Sequence, residues 1–280
     1  MKDIKNKIKG SLYGFAIGDA MGATTEFASE EDIRRCYGTV DHIIGGGWLN
    51  LEPGQVTDDT EMTMCVADAY IKANGFSDQF LQNCTKNFVD WLKSGPKDVG
   101  NSCRQAILHN MYEEKPMTWM DNNYQRQIST GHKDLGNGAL MRCLFPILAD
   151  DIGAAVLQAK LTHNNTINDK LILIYALRIR DCLKGFPLPE YNGYVPEPNG
   201  YIENTLENVF YWAYSTNNFR DSILGPVNRG GDADTIAAIT GGLTGAYYGF
   251  DHIPDQWVQE LNPAVRNKLD QYTDWLSSRA

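Results

Sequence analysis

The chain of 280 residues lacks any long hydrophobic run. Its longest apolar stretch, Leu171 to Leu177, falls far short of the roughly 18 residues that cross a bilayer. No transmembrane segment is expected. Cysteine is sparse and scattered. Cys36, Cys65, Cys84, Cys103, Cys143 and Cys182 stand singly, and without a C-x-x-C pair the zinc-ribbon and thioredoxin readings fail. An even number does not exclude disulfides. Apolar neighbours nevertheless fit small core residues of a reducing cytosol. Positive charge is in deficit: 25 Lys and Arg stand against 35 Asp and Glu, a net charge of −10. That balance argues against a nucleic-acid backbone or an anionic membrane surface as the main partner. It leaves room for a small phosphorylated ligand held through a metal.

Other signatures are missing too. His42, His109, His132, His163 and His252 show no H-E-x-x-H spacing, so the zincin class is excluded. There is no G-x-S-x-G elbow, Walker A sequence or Rossmann fingerprint. Sustained two-residue alternation is absent, which removes the signal for a half-buried sheet. The lysine-rich start before Leu12–Ile17 has the outline of a signal peptide. Asp19 cuts the apolar stretch short and no small-residue cleavage site follows, so a cytoplasmic protein is expected.

What is present is helical. Ile4, Ile8, Leu12 and Phe15 share one face at 3.6-residue spacing. Phe80, Leu81, Cys84, Phe88, Trp91 and Leu92 repeat the pattern until Gly95-Pro96 stops it. Leu171 to Ile179 and Leu206 to Tyr214 make two more. Asn262-Pro263 reads as N-cap and first turn of a helix carrying Val265, Leu269, Tyr272 and Leu276. Hydrophobic residues at 42 % and charged residues at 21 % match ordinary globular usage. The expectation is one all-α domain over 1–280. The Pro- and Gly-rich stretch Pro187–Gly200 is read as a surface loop within it.

Gly10, Gly14, Gly18 and Gly22 recur every four residues, and Gly241, Gly245 and Gly249 do the same. Glycine inside a helix costs roughly 1 kcal/mol relative to alanine. The expected return is close approach of a second backbone along the i±4 ridge.

Two acidic clusters open helices. Thr57-Asp58-Asp59-Thr60-Glu61 precedes a helical segment from Met62 to Ala73. Gly230-Gly231-Asp232-Ala233-Asp234-Thr235 precedes another from Ile236 to Gly249. Helix capping accounts for one acid at each start. It does not account for two carboxylates and hydroxyls beside a glycine turn, twice. The alternative is a divalent-metal site, since Mg²⁺ and Mn²⁺ prefer hard oxygen donors. Four aspartates could hold two cations about 3.5–4 Å apart. Glu26 adds an acid close to the glycine ridge. Gly136-Asn137-Gly138-Ala139-Leu140-Met141-Arg142 is either a plain structural turn or one aiming backbone N–H groups at an anion such as a diphosphate. Asp98 reads locally as the N-cap of a helix over Asn101–Leu108.

These residues resemble the ADP-ribosylglycohydrolase family. The match is G-D-A-x-G-x-x-x-E at Gly18–Glu26, T-D-D-T at Thr57–Thr60, and G-N-G-x-x-M-R at Gly136–Arg142. Thr162-His163 and G-G-D-A-D-T at Gly230–Thr235 complete it. The resemblance implies an all-α, multi-helix orthogonal bundle with two Mg²⁺ or Mn²⁺ ions in a central cleft. It implies Thr57, Asp58, Asp59, Asp232, Asp234 and Thr235 as ligands, with Asp234 bridging the ions. Gly136, Asn137, Gly138, Met141 and His163 would line the ADP-ribose site. Glu26, Asp98 and Asp234 would be catalytic, with Asp98 facing the leaving group.

The implied reaction is removal of ADP-ribose from a modified protein side chain, with arginine the preferred acceptor. An opposing ADP-ribosyltransferase or toxin is the implied partner. Cleavage at ribose C1″ passes through an oxocarbenium-like state, and paired cations bring a bound water toward a pKa of ~7. Glu26 and Asp98 are both candidates for the proton transfer. Competing readings are hydrolysis of another ADP-ribosyl linkage (serine, nucleic-acid base or small metabolite) and a non-catalytic binding protein on the same fold.

Overall fold

The computed structural model describes residues 2–131 and 135–279, so His132 lies outside the described residues. Fourteen α-helices and one 3-10 turn make up the regular structure there, with isolated bridges and no extended strand. The all-α expectation is met. The helices are α1 (Lys2–Gly22), α2 (Glu30–Tyr37), α3 (Asp58–Ala73), α4 (Asp78–Lys93), α5 (Asn101–Asn110), α6 (Pro116–Ser129) and α7 (Leu144–Leu148). They continue with α8 (Ile152–Ala159), α9 (Thr166–Leu183), α10 (Ile202–Tyr214), α11 (Phe219–Arg229), α12 (Ala233–Tyr248), α13 (Asp255–Glu260) and α14 (Pro263–Ser277). None of the described helices is long and apolar enough to cross a membrane.

The glycine ridges set the centre of the fold. A Cβ on Gly10 would meet the Gly245 carbonyl oxygen at 2.5 Å, and one on Gly14 the Gly241 oxygen at 2.3 Å. One on Gly18 would meet Ala237 O at 2.2 Å, and one on Gly22 Ala233 O at 2.5 Å. Each step of four along α1 is a step of four back along α12. The two helices are therefore antiparallel and touch backbone to backbone over four turns. Any side chain at these positions would force them apart. The small-residue ridge is thus a packing device, as expected. The apolar stretch Leu12–Ile17 lies on this central helix, with Leu12, Phe15 and Ile17 all buried.

A single contiguous cluster of buried side chains runs from Ile8 in α1 to Leu276 in α14 and includes residues on both sides of the 187–200 loop. Asn262 caps α14 through the Ala264 N–H and Pro263 opens it. The six cysteines carry free thiols, and Cys84, Cys103, Cys143 and Cys182 are buried.

Because the obstacle at Gly18 is backbone, it cannot rotate away. Gly18→Ala is expected to cost about 3 kcal/mol, the upper end of ordinary overpacking. Its melting temperature, followed by far-UV circular dichroism, should fall by several degrees. An unchanged melting curve would show that α1 and α12 are not locked in this register.

Candidate metal centre

The antiparallel register brings the C-terminal part of α1 beside the start of α12, and α3 begins against both. Asp19, on α1, is fully buried. It accepts from the Thr57 N–H at 3.0 Å, the Thr57 hydroxyl at 2.8 Å and the Thr60 N–H at 3.0 Å. These bonds fix the first turn of α3, whose N-cap is Thr57. They also occupy the Asp19 oxygens. Sequence reasoning noted Asp19 as an interruption of the apolar stretch and as part of the G-D-A-x-G motif, but gave it no role. Its signal was a lone acid on an otherwise apolar, glycine-ridged helix.

Asp58 and Asp59 follow the cap and do not themselves cap α3. Asp59 Oδ2 accepts from the Thr235 hydroxyl at 3.3 Å, while Asp59 Oδ1 is buried with no hydrogen-bond partner. Asp58 Oδ2 accepts from the Gly100 N–H at 3.0 Å. Asp232 occupies the N-cap position of α12 but caps nothing there. Its Oδ2 instead accepts from Asn137 Nδ2 at 2.6 Å. Capping therefore explains one threonine and leaves the four aspartates to another cause.

The carboxylates form two groups. Asp19, Asp59 and Asp234 each offer an oxygen, and these lie within 4.8 Å of one another. Glu26, Asp98 and Asp234 do the same. Asp234 belongs to both, the position a bridging ligand would hold. The strongest charges acting on Asp59 and Asp234 are other carboxylates, and burial pushes both pKa values well above the usual range. Asp58 is shifted the same way by burial and by Asp98. Burial moves Asp19 and Asp232 up to about 6 each. Glu26 is pushed to about 8 by burial, against the pull of the Trp48 indole N–H at 2.6 Å. Burial also raises Asp98.

Asp98 is not the helix cap that local sequence allows. Gly100 holds the N-cap position of α5, and the Asp98 carboxylate accepts from the Val99 N–H at 2.8 Å. The short loop before α5 turns it toward Glu26 and Asp234 instead.

A cleft of about 450 Å³ opens above this cluster. Glu26, Asp58, Asp98, Asp232, Asp234 and Thr235 line it, together with Gly136, Asn137, Gly138, Met141 and His163. Thr57 and Asp59 do not line it; Asp59 is joined to it through the Thr235 hydroxyl, and Thr57 through Asp59. All the residues expected at the site are thus brought together. His163 packs behind the glycine turn: a Cβ on Gly136 would lie 3.3 Å from its Nε2. Burial, then the charges of Arg142 and Arg126, hold its pKa well below the usual value, so the ring is neutral. Its Nε2 is buried without a partner. Arg142 is fully buried and ties the turn down, donating to Gly138 O at 2.6 Å, Thr162 Oγ1 at 2.7 Å and Gln158 Oε1 at 2.8 Å.

The 187–200 loop is more than a surface excursion. Pro198 O accepts the Asp232 N–H at 2.8 Å, and Gly200 O accepts the Asn137 N–H at 3.0 Å. Its last residues therefore join the second acidic cluster to the glycine turn.

The ADP-ribosylglycohydrolase family profile matches residues 1–192 and 187–280. The chain is 34 % identical to the ADP-ribosyl-[dinitrogen reductase] glycohydrolase of Rhodospirillum rubrum, over 99 % of this chain and 97 % of that protein. It is 31 % identical to the ADP-ribosylarginine hydrolase Tri1 of Serratia proteamaculans, over 91 % and 75 % respectively. A solved structure described as an ADP-ribosylglycohydrolase-related protein complex superposes with a TM-score of 0.78 at 25 % identity, covering 100 % of this chain and 99 % of that one. Fold, ordered motifs and relatives agree, and the chain belongs to the ADP-ribosylglycohydrolase family of hydrolases.

Proposed function

We propose that residues 1–280 act as one domain that removes ADP-ribose from arginine side chains of proteins, using two divalent cations, Mg²⁺ or Mn²⁺. The observation that carries this reading is the pair of carboxylate groups sharing Asp234 on the floor of the cleft. The donor set fits hard cations. Asp59 Oδ1 is a buried oxygen without a partner, and the neighbouring charges only repel it. The Thr57 hydroxyl donates its proton to Asp19 and accepts from the Asp59 N–H, which leaves one lone pair available. Asp58, Asp59, Asp232, Asp234, Thr57 and Thr235 would hold the ions, and Asp19 would position them. Divalent cations there would neutralise the carboxylates, anchor the vicinal ribose hydroxyls and make a water acidic enough to react near neutral pH.

The chain's own groups do the rest. The turn at Gly136, Asn137 and Gly138, with Met141 and His163, receives ADP-ribose. Glu26, whose carboxyl burial pushes up to about 8 in the metal-free protein, is the group that delivers a proton to the departing nitrogen. Asp98 faces the guanidinium. The C1″–N bond breaks as the water oxygen bonds to C1″, and the proton that water loses restores the Glu26 carboxyl. The arginine preference is supported by the relative described as an ADP-ribosylarginine hydrolase and by the acidic lining, which suits a cationic leaving group. An ADP-ribosyltransferase or toxin would supply the substrate. A reducing cytoplasm suits the unpaired cysteines.

The test is incubation with ADP-ribosyl-arginine and ADP-ribosyl-serine proteins, with and without Mn²⁺, followed by mass spectrometry. Metal-dependent release from arginine is expected. Release only from serine would move the assignment to another linkage.

The electrostatics give a second check. The folded, metal-free protein binds protons on Asp19, Asp232 and Glu26 up to about pH 6–8, where unfolded carboxylates have lost theirs near pH 4. Stability therefore falls as pH rises through that window. The melting temperature in EDTA should drop between pH 5 and pH 8, and saturating Mn²⁺ should restore it at pH 8. A metal-free melting temperature that climbs over this range would contradict the assigned repulsion.

A further inference from the structure

The mouth of the cleft carries two large aromatic side chains in water. Phe27 is 69 % exposed and Trp48 is 55 % exposed, and both line the cleft. Their ring centroids lie 5.4 Å apart, tilted by 48°. Exposure of this much apolar surface is costly, so a pair kept at a site entrance invites a role.

Considerable local structure holds the pair there. Gly45, Gly46 and Gly47 all have left-handed backbone, with φ of 68°, 81° and 65°. A Cβ on Gly47 would lie 2.3 Å from Ala23 O. Gly46 and Leu51 exchange backbone hydrogen bonds at 2.8 and 2.9 Å, closing a tight loop that bears Trp48. Asn50 O on that loop accepts from Lys97 Nζ at 3.0 Å, which links it to the segment bearing Asp98. Phe27 also has left-handed φ, 59°, which strains a residue with a bulky side chain. Its N–H donates to Gly231 O at 2.7 Å, beside the second acidic cluster. The Trp48 indole N–H meets Glu26 Oε2. The rings are thus fastened to the carboxylate end of the cleft, where the glycosidic bond must lie, and not to the Gly136–Gly138 turn. In the proposed reaction, the acceptor side chain would project to solvent from that end.

We propose that Phe27 and Trp48 form the acceptor-recognition surface, taking the planar guanidinium of the modified arginine against their ring faces beside Glu26 and Asp98. The chemistry is a cation over aromatic faces next to carboxylates, a combination that selects arginine over a neutral acceptor. This inference rests on the arginine reading above.

The test uses the full chain with Mn²⁺, an ADP-ribosyl-arginine peptide and free ADP-ribose. Trp48→Leu removes the ring from an exposed position, so folding is preserved. Its KM for the peptide should rise about tenfold, the loss of one desolvated cation–π contact. Phe27→Ala should raise KM in the same direction. Trp48→Phe keeps a ring face but loses the N–H to Glu26, so it should hold KM near wild type while kcat falls. The dissociation constant for free ADP-ribose should stay within twofold in all three variants. An unchanged KM in Trp48→Leu, with active wild type, overturns this inference alone. A parallel loss of ADP-ribose binding also overturns it, because the rings would then be stacking on adenine. Wild-type inactivity on the arginine peptide overturns the proposed function and this inference with it.

Discussion

Asp234→Asn is expected to lower kcat/KM on ADP-ribosyl-arginine protein by at least about a thousandfold. Cation stabilisation of developing charge contributes several kcal/mol, and each 1.36 kcal/mol is a factor of ten. Asp234 is the one acid common to both carboxylate groups, so its loss damages both proposed ion positions at once. The fold should be untouched. Asn is nearly isosteric, and its side-chain oxygen can still accept from the Thr235 N–H, as Asp234 Oδ1 does at 2.8 Å. The variant also removes a buried charge repelled by Glu26, Asp59 and Asp232. In EDTA at pH 8 it should therefore melt above the wild type. Calorimetric titration with Mn²⁺ should lose its high-affinity phase. Near-normal turnover at saturating Mn²⁺ would end the paired-cation mechanism.

Asp98→Asn should slow hydrolysis of the arginine-linked substrate by one to two orders of magnitude. The figure follows from the roughly 1.5–3 kcal/mol of a hydrogen bond to a charged partner. The substitution leaves the local backbone in place, because an Asn oxygen can accept from the Val99 N–H as the carboxylate does. Asp98 caps no helix, so lost capping cannot mimic the effect. A serine-linked substrate presents no cation at that position and should lose less. The measurement is kcat/KM on both substrates at the same Mn²⁺ concentration. Equal losses on the two would assign Asp98 to a step independent of the acceptor. Wild-type behaviour on the arginine substrate would remove the main residue-level support for that acceptor.

Local chemistry was legible because it repeats over short distances. The 3.6-residue spacing of Ile4, Ile8, Leu12 and Phe15 gave α1, and Asn262-Pro263 marked the start of α14. The fourfold glycine spacings announced a close helix pair, since little else justifies their helical cost. The acids at the starts of α3 and α12 could be suspected of a shared site because there were more of them than capping needs. The ordered motifs carried the family.

The division of labour among those acids was not legible. It depends on hydrogen bonds between residues 38 to 176 positions apart, such as Asp19 with Thr57, Asn137 with Asp232 and Thr235 with Asp59. No local pattern encodes which lone pairs are taken. Asp19 is engaged by the Thr57 and Thr60 amides and the Thr57 hydroxyl and so positions the start of α3, whereas Asp59 Oδ1 is left open. Asp98 has the local spacing of a cap, yet the turn at Gly100 hands that place to glycine and swings the carboxylate into the cleft. Pro198 and Gly200 sit in a stretch whose composition says loop, and only their carbonyl partners make them part of the wall. The sequence by itself determined the helices with a clear apolar period or a marked start, the motifs and their order, because each is written in neighbouring residues. The tertiary structure decided which carboxylates face one another and which aromatic rings stand at the entrance, because those follow from the antiparallel register of α1 on α12 and the left-handed glycine loop before Trp48.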